Sequence, residues 1–218
     1  WEVKIMNDDL LRFNKNQKYV FFDFETCNLN LASPDNKPWQ LGFLVYHGSS
    51  LVYSKDYYIL WDDINVSDDA AKITGFKKST YLKRAQDASS ILKDFENYLY
   101  NSEYLILGHN ILGFDIYIHN IYRNLLGLPT DYSYLDRCID TNALARAIKL
   151  SIKYDRDEDF LSWQYRLVNH RQRGLKTSLM QLCKDYEISF DQDKLHDAMY
   201  DIGKNFDVFQ KQVWQLEI

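Results

Sequence analysis

Several features are scarce or missing in this chain of 218 residues, and each absence excludes a class of protein. Its three cysteines, Cys27, Cys138 and Cys183, are odd in number, far apart and without metal-ligand spacing, which excludes a disulfide framework and a zinc site and indicates reduced thiols. There is no run of about 18 apolar residues and no signal-peptide pattern, so we expect a cytoplasmic protein that does not enter a membrane. Internal repeats and low-complexity tracts are also missing, which excludes a solenoid or a disordered chain.

What is present suits one globular domain. Hydrophobic residues make up 46% of the chain and aromatic residues 16%, which is enough for a packed core. The formal net charge of −5 argues against a passive nucleic-acid coat, because non-specific phosphate binding depends on Lys and Arg. We expect a single domain over 1–218, with 1–17 as an N-terminal extension. The chain begins at Trp1 and not at methionine, which leaves open that it is a segment of a longer one.

Apolar patterning predicts a sheet with interleaved helices. Residues 18–26 (KYVFFDFET) have the pattern of a buried central strand, and WQLGFLVYHG and LVYSKDYYIL that of an antiparallel hairpin beside it. Two later strands are predicted, YLILG and LDRCIDT, and helical spacing is found near 85–100, 114–127, 142–150, 177–189 and 197–215. Region 151–174 is charged and has no clear period, so we expect an insertion or a mobile loop there. This order of elements predicts an α/β or α+β domain.

Two acids stand at the end of the first predicted strand. Asp23 and Glu25 are two residues apart, so their side chains leave the same face of the strand, while Phe22 and Phe24 point to the other. Placing two carboxylates side by side at the end of a buried strand is costly unless cations or hydrogen bonds offset their repulsion and desolvation. A divalent metal explains the pair. On these residues alone, a strand end at which both acids turn into solvent is an equal alternative.

Further polar residues follow the strand YLILG. His109 and Asn110 stand at its end, where they are expected to satisfy backbone groups if they have no other role. Asp115 falls in the first turn of the next predicted helix, where the helix dipole favours an anion. Each is ordinary when it is taken alone.

A histidine and two acids stand near the last helix. His196 and Asp201 are five residues apart, which separates them by roughly 140° on an ideal helix. They face one cleft only if His196 lies in the loop before the helix and Asp201 lies in its second turn. Asp197 is a rival to Asp201 as the acid of this segment.

Taken in order, DFET, HNILGFD and HDAMYD resemble the motifs of the DEDDh exonucleases of the DnaQ-like group, relatives of bacterial proofreading subunits. The resemblance runs from about Lys18 to Gln212, and KITGF, CIDTNALAR and SLMQLCKDYEIS agree with lesser family segments. It implies an RNase H-like fold, with a mixed five-stranded sheet flanked by helices on both faces. It also implies a 3′-5′ exonuclease domain that hydrolyses nucleic acid from the 3′ end.

The resemblance further implies a role for each acid. Asp23 is expected to bridge two divalent ions, Mg²⁺ or Mn²⁺, with Glu25 and Asp201 completing the site of one ion and Asp115 holding the other. His196 is implied as the general base that takes a proton from the attacking water. A histidine here, with Asp at position 197, separates the chain from the sister group that uses Tyr-x3-Asp.

Substrate contacts are implied as well. Thr26 is expected to offer its backbone near the terminal 3′ hydroxyl and Leu29 to pack against the last base, and Phe24, His109 and Asn110 complete the set. The sequence CNLNLASPDNKP after Thr26 replaces the tight T-G-L turn of many relatives, and Ile202 and Gly203 follow the last acid where relatives have alanine. These departures leave the base and sugar preference open.

A run of basic and aromatic residues without an acid is a candidate guide for the nucleic-acid strand. It consists of Trp163, Tyr165, Arg166, His170, Arg171, Arg173 and Lys176, of which Arg171 and Arg173 are the expected phosphate contacts. A solvated loop is an equal alternative. The same two interpretations apply to the smaller cluster of Lys77, Lys78, Tyr81, Lys83 and Arg84.

We therefore predict a 3′-5′ exonuclease that acts on single-stranded nucleic acid, with DNA favoured slightly over RNA. Its expected partners are 3′ ends and a DNA polymerase or other replication proteins. One alternative is an exoribonuclease resembling ribonuclease T or oligoribonuclease. The others are a catalytically silent binding module and a metal-dependent endonuclease on the same fold.

Overall fold

The computed structural model describes residues 9–28, 30–31, 36–192 and 197–218. Within them, one six-stranded sheet has the order β4-β3-β2-β1-β5-β6. The strands are β1 (Lys18–Thr26), β2 (Pro38–His47), β3 (Ser50–Ile59), β4 (Ala85–Gln86), β5 (Tyr104–Gly108) and β6 (Cys138–Asp140). Strand β2 pairs antiparallel with β1 and β3, and the other pairs are parallel.

Eight α-helices connect and cover these strands in the described part of the chain. They are α1 (Asp68–Thr74), α2 (Lys78–Arg84), α3 (Ala88–Leu99), α4 (Asp115–Leu125), α5 (Thr141–Leu150), α6 (Phe160–Asn169), α7 (Leu179–Asp185) and α8 (Ala198–Gln212). The same part of the chain also contains three short 3-10 helices, Leu11–Phe13, Ile111–Gly113 and Leu135–Arg137. The predicted α/β class and RNase H-like layout, with helices on both faces of a mixed sheet, are confirmed.

The side chains of β1 alternate between two apolar cores. Val20, Phe22 and Phe24 belong to the core under α3 and α4. Tyr19 and Phe21 belong to the core on the opposite face, under α5, α6 and α8. Because a strand has a period of two, the next odd residues of β1 continue toward the α8 face. The acids of the first motif therefore share a face with α8.

Helix α8 runs along that face in register with β1. The ring of Phe209 lies 5.5 Å from that of Tyr19, and the ring of Phe206 lies 5.5 Å from that of Phe21. One turn earlier, Ile202 packs against Gly42 of β2, which is paired with Asp23 of β1. The aromatic contacts therefore bring the first turn of α8 to the acidic end of β1.

The sheet has one strand more than the five we expected. Ala85 and Gln86, which we predicted to begin a helix, pair instead with Tyr58 and Ile59 of β3. The helix begins later because the carboxylate of Asp87 accepts the N–H of Ser90 and caps α3. The last strand is shorter than predicted, since Leu135–Arg137 form a 3-10 helix.

The expectation of a loop throughout 151–174 is wrong for Phe160–Asn169, which form α6. Trp163, Gln164 and Leu167 are buried at i, i+1 and i+4, and Trp163 and Leu167 join the core on the α8 face. The charged residues on either side of the helix concealed this short apolar stripe. The assignments of this region as an insertion and of 1–17 as an N-terminal extension of a single domain are still predictions.

The structure describes the state of the cysteines and the lengths of the helices. The three cysteines are buried, and no disulfide joins them in the part of the chain that the structure describes. No helix among the described residues combines the length and the apolar composition that are needed to cross a lipid bilayer.

Candidate active site

The acids of the first motif lie at the carboxyl end of β1, near the ends of the parallel strands β5 and β6. In open α/β sheets this edge is the usual place for a ligand. Asp23 pairs with Gly42 and Glu25 with Gln40 across the β1–β2 ladder, and the register shifts just after Glu25. Both acids are partly buried, so they open to the edge without being fully solvated.

Asp115 is joined to β1 by a direct hydrogen bond. It is the first residue of α4, as predicted, and it is buried. Its Oδ1 accepts the backbone N–H of Phe24 at 3.0 Å. The bond places Asp115 beside the residue that lies between Asp23 and Glu25, so the second motif meets the first in space.

Asp201 reaches the same place from α8. We predicted Asp201 in the second turn of that helix. It lies in the first turn, because α8 begins only at Ala198. Asp23 and Asp201 both line a cleft of about 340 Å³, together with His109, Ser178 and Asn205. The third motif therefore also converges on the end of β1.

Burial and the charges of neighbouring acids destabilise the charged forms of Asp23, Glu25 and Asp115. Burial and then the charge of Asp201 raise the pKa of Asp23 to about 7. Burial, followed by the charges of Asp23 and Asp201, raises the pKa of Glu25 well above its ordinary value. Burial and the charge of Asp23 do the same to the pKa of Asp115. Ionising these three carboxyl groups is therefore unfavourable in the metal-free protein.

The chemistry of this donor set fits hard divalent cations. Mg²⁺ and Mn²⁺ prefer carboxylate oxygens, and cationic charge would relieve the repulsion that raises these pKa values. In the conformation described, however, no three His, Cys, Asp or Glu side chains of the described residues lie close enough together to hold a metal ion. Asp23 and Asp201 thus line one cleft, and the described residues do not form a complete metal site.

Two predicted site residues, His196 and Leu29, lie outside the described residues. The rival acid Asp197 is the N-cap of α8, where its Oδ1 accepts the N–H of Tyr200 at 3.0 Å. That bond gives Asp197 a structural role, although its charge also raises the pKa of Glu25.

Two of the predicted substrate residues, Phe24 and Thr26, have buried side chains. The prediction for the side chain of Phe24 is wrong: its ring is buried in the core against Phe22 and Phe95. Thr26 is buried too, and its hydroxyl donates to the carbonyl of Asn28 at 2.7 Å. The expected role of its backbone stays a prediction.

His109 and Asn110 stand at the end of β5, as expected. His109 lines the cleft, and its Nδ1 lies 3.0 Å from the hydroxyl oxygen of Thr141. Burial lowers the pKa of His109 to about 4, so its ring is neutral at physiological pH. Asn110 has a φ of 63°, a left-handed conformation that a non-glycine residue needs a reason to hold.

The predicted strand guide separates into structural and exposed parts. Trp163 is fully buried, so the prediction is wrong for it, and Arg166 pairs with Glu158 at 2.6 Å. The exposed residues His170, Arg171 and Arg173 line a cavity of about 520 Å³ together with Arg146, which the sequence did not single out. Only this part remains a candidate phosphate surface.

Two residues of the smaller cluster near residue 80, Tyr81 and Arg84, have structural contacts, whereas Lys77, Lys78 and Lys83 are exposed. Tyr81 is fully buried, and its hydroxyl donates to the carbonyl of Ile59 and accepts the N–H of Trp61. Arg84 pairs with Asp56 at 2.7 Å. These contacts favour the interpretation without a strand-binding role for both residues.

Sequence reasoning missed several residues of the site. Asp140, Ser178 and Asn205 are among them, and the first was noticed only as part of CIDTNALAR. An Asp before a helical stretch is an N-cap signal that would have drawn attention to Asp140. No comparable signal marks Ser178 or Asn205, because only the packing of α7 and α8 brings them to the cleft.

The sheet order and the helices on both faces define an α/β protein of the RNase H-like fold. No protein-family model matches the chain. It is 26% identical over 192 residues to DNA polymerase III subunit epsilon of Buchnera aphidicola subsp. Schizaphis graminum (strain Sg), an alignment that covers 86% of this chain and 71% of that protein. The chain is therefore related to the DnaQ-like exonucleases and has their fold.

Solved structures with the same fold include E. coli exonuclease I. Its complex with a dA16 oligonucleotide matches 91% of this chain with a TM-score of 0.70 at 16% identity. The zinc-bound complex of the same enzyme with single-stranded DNA matches 90% with a TM-score of 0.69 at 17% identity. The chain spans only about two fifths of these exonuclease I structures, 41% and 40% of their length.

Proposed function

We propose that this chain is a 3′-5′ exonuclease that hydrolyses phosphodiester bonds at the 3′ ends of single-stranded DNA. The observation that carries the proposal is the approach of Asp115 of α4 and Asp201 of α8 to the acids of β1. Burial and the charges of neighbouring acids raise the pKa values of Asp23, Glu25 and Asp115, and Asp23 and Asp201 line one cleft. Strongly perturbed pKa values in a cleft are typical of functional sites, and this supports the proposal.

The proposal assigns the four carboxylates to two divalent cations, Mg²⁺ or Mn²⁺. When bound, the two cations would supply positive charge for the attacking water and for the leaving oxygen of the phosphodiester. Asp23 is assigned to both ions, Glu25 and Asp201 to one and Asp115 to the other. His196 is assigned as the general base, which makes the enzyme one of the DEDDh type.

The described residues have further roles in the proposal. His109 stays neutral because of its burial, so it offers a hydrogen bond in the cleft without adding charge. The exposed Arg171 and Arg173 bind backbone phosphates of the strand that leads into the cleft. Asn110, the backbone of Thr26 and Leu29 complete the surroundings of the terminal nucleotide.

The choice of DNA rests on the named relatives. The similar structures include exonuclease I with DNA oligonucleotides, and the curated relative is a subunit of a DNA polymerase. Exonuclease I is also known in an SSB-Ct complex. We propose single-stranded DNA as the substrate and replication proteins as the setting, with RNA as the competing substrate in the assay.

The test is digestion of 5′-labelled single-stranded DNA and RNA of one sequence with Mg²⁺ or Mn²⁺. We expect stepwise shortening of the DNA, abolished by EDTA and by Asp23→Ala. The matched control is Asp157→Ala, which removes an exposed acid outside the cleft and should leave the ladder unchanged.

The other outcomes assign the other functions. Faster shortening of RNA would make the enzyme an exoribonuclease, and cutting of a circular single strand would make it an endonuclease. If the folded wild-type protein shortens neither substrate with either metal, the proposal is wrong and the chain is a silent exonuclease-fold module.

A further inference from the structure

Asp140 is a fully buried carboxylate that none of the proposed catalytic steps uses. It ends β6 and caps α5, where its Oδ1 accepts the N–H groups of Asn142 at 2.8 Å and Ala143 at 3.3 Å. An N-cap needs no more than this, and an exposed Asp would serve equally well. Asp140 makes two further bonds that capping does not require.

These two bonds reach the turn between β5 and α4. Oδ1 of Asp140 accepts the N–H of Asn110 at 2.9 Å, and its Oδ2 accepts the N–H of Leu112 at 3.1 Å. One carboxylate thus receives four backbone donors from two chain segments. Burial raises the pKa of Asp140 to about 6, and these four N–H groups act against that rise.

Thr141 and Asn142, the two residues after Asp140, also contact the same turn. The hydroxyl of Thr141 donates to Oδ1 of Asn205 on α8 at 2.6 Å and lies 3.0 Å from Nδ1 of His109. The side-chain amide of Asn142 donates to Oδ1 of Asn110 at 3.4 Å. The left-handed backbone of Asn110 is therefore held from both its N–H and its side chain.

Asp140 is itself held rigidly. Its backbone N–H donates to Oε1 of Gln164 on α6 at 2.7 Å, and the Nε2 of Gln164 donates to the carbonyl of Cys138 at 2.9 Å. The buried amide of Gln164 thus fixes the short strand β6 from outside the sheet. A rigid carboxylate is what a positioning role requires.

The turn that bonds to Asp140 joins a residue of the cleft, His109, to one of the four candidate metal ligands, Asp115. It begins at His109, which lines the cleft, and ends at Asp115, which opens α4 and bonds to the N–H of Phe24. Asn110 and Leu112, whose N–H groups donate to Asp140, lie between His109 and Asp115. The position of Asp115 relative to β1 therefore depends on the carboxylate of Asp140.

We propose that Asp140 is a positioning residue that sets the His109–Asp115 turn, and through it Asp115, for the reaction. The inference rests on the proposed exonuclease function. Asparagine at this position keeps the size of the side chain but replaces one acceptor oxygen with an NH₂ group, which cannot accept the N–H of Leu112 or Asn110. An unsatisfied buried N–H then forces the turn to move.

The test compares Asp140→Asn with Asp87→Asn and Asp159→Asn. The two controls change N-cap residues of α3 and α6 whose carboxylates bond only their own helices. Amide hydrogen exchange gives a readout that does not depend on activity. In the wild type the amides of Asn110 and Leu112 should be protected, and in Asp140→Asn this protection should fall while that of the β1 amides remains.

Kinetics on labelled single-stranded DNA give the second readout. Loss of a residue that orients a catalytic ligand typically costs roughly 10- to 100-fold in activity or metal affinity, so we expect kcat to fall by this factor with KM nearly unchanged. Asp87→Asn and Asp159→Asn should keep the wild-type kcat. If Asp140→Asn does not fold, amide exchange of Asn110 and Leu112 in the wild type still tests whether their bonds to Asp140 hold the turn.

Each outcome decides one claim. Unprotected amides at Asn110 and Leu112 in the wild type, or an unchanged kcat in a folded Asp140→Asn protein, would overturn the positioning role. A wild-type protein that digests no nucleic acid would overturn the proposed function itself, and this failure is visible before any variant is made.

Discussion

Two groups of buried charged side chains lie on opposite sides of the sheet, and they are balanced differently. Under α3 and α4, Glu96 bonds Arg123 and lies 3.0 Å from Nε2 of His119, whose Nδ1 is 3.0 Å from the hydroxyl of Tyr134. Burial alone would raise the pKa of Glu96, but bonds from His119 and Arg123 outweigh it and hold this pKa below its ordinary value. At the end of β1 the pKa of Asp23 instead rises to about 7.

The difference separates a structural cluster from a functional one. A buried acid that is paired inside the protein needs nothing from outside, whereas acids that raise one another's pKa values need a proton or an external cation. The Glu96 cluster is thus explained by the fold alone. The Asp23 cluster fits the cation site that we propose, where external positive charge would offset the effects that raise these pKa values.

Breaking the balanced cluster should have the largest effect on stability. Removing one partner of a buried ion pair costs about 3 to 5 kcal/mol, because the other charge is left uncompensated. We expect Arg123→Met to lower the free energy of unfolding by this amount in a urea titration and to leave kcat unchanged. Lys18→Met, which breaks the exposed pair with Glu103, is the control and should cost about 1 kcal/mol or less. An equal cost for both variants would show that the Glu96 cluster is not a buried pair in energetic terms.

Removing charge from the unbalanced cluster should lower activity and raise stability. We expect Asp23→Asn to reduce kcat by on the order of 10²- to 10³-fold, the usual loss when one group that stabilises the transition state is removed. In EDTA at pH 8 the variant should nevertheless melt at a higher temperature than the wild type, because the cost of burying the Asp23 charge and its repulsion with Asp201 are both removed. At pH 4 the two melting temperatures should agree. A variant that melts lower than the wild type in EDTA at pH 8 would contradict the assignment of uncompensated charge.

Divalent cations should stabilise the protein in a pH-dependent way. The pKa of Asp23 is 3.8 in the unfolded chain and about 7 in the folded one, so its protonation stabilises the metal-free fold below about pH 4, and this contribution is lost as pH rises through 7. Cations compensate for that loss. At 100 times its Kd, Mn²⁺ should add about 2.7 kcal/mol to the unfolding free energy at pH 7.5. The gain should shrink toward pH 5, where protons compete.

Thermal scans with MnCl₂ against EDTA at both pH values measure this effect. The matched control is Asp23→Asn, which should show a smaller cation response at pH 7.5. A cation response of equal size at both pH values and in both proteins would mean that the metal binds elsewhere.

Local patterns predicted the elements of the fold better than they predicted the cleft. Strand β1 and the hairpin were evident from their apolar runs, and the two-residue spacing of Asp23 and Glu25 fixed their common face. The convergence of Asp115 and Asp201 was expected only through the family resemblance, because sequence spacing does not show which helices meet. Asn205 was missed for the same reason, since it depends on the packing of α8.

Helix α6 shows a different limit. Arg166 and the basic residues that follow the helix, His170, Arg171 and Arg173, drew attention to charge, so the spacing of Trp163 and Leu167 was read as part of a loop. The double role of Asp140 was equally hidden. A cap is a local signal, whereas its bonds to Asn110 and Leu112 join segments 28 to 30 residues apart.

The smallest effect should come from the spacing between the sheet and α8. A Cβ at Gly42 would lie 2.8 Å from Cδ1 of Ile202 and 3.1 Å from Cβ of Ala198, both on α8. Gly42→Ala should therefore push the first turn of that helix, which carries Asp201, away from Asp23, at a cost of about 1 to 3 kcal/mol. The contact at 3.1 Å requires a shift of only a few tenths of an ångström. A misplacement of about 1 Å costs on the order of 10²-fold in rate, so activity should fall by less than that factor.

The control for this prediction is Gly203→Ala on the same helix, where a Cβ would meet nothing within 4 Å. That substitution should stabilise the protein by about 1 kcal/mol through helix propensity and leave activity unchanged. Urea titrations and exonuclease assays of the two variants measure the contrast. If Gly42→Ala keeps full activity, the distance between Asp23 and Asp201 tolerates a shift of α8, and the two acids do not hold their cations jointly. If both alanine variants lose activity equally, the cause is the rigidity of α8 and not its distance from the sheet.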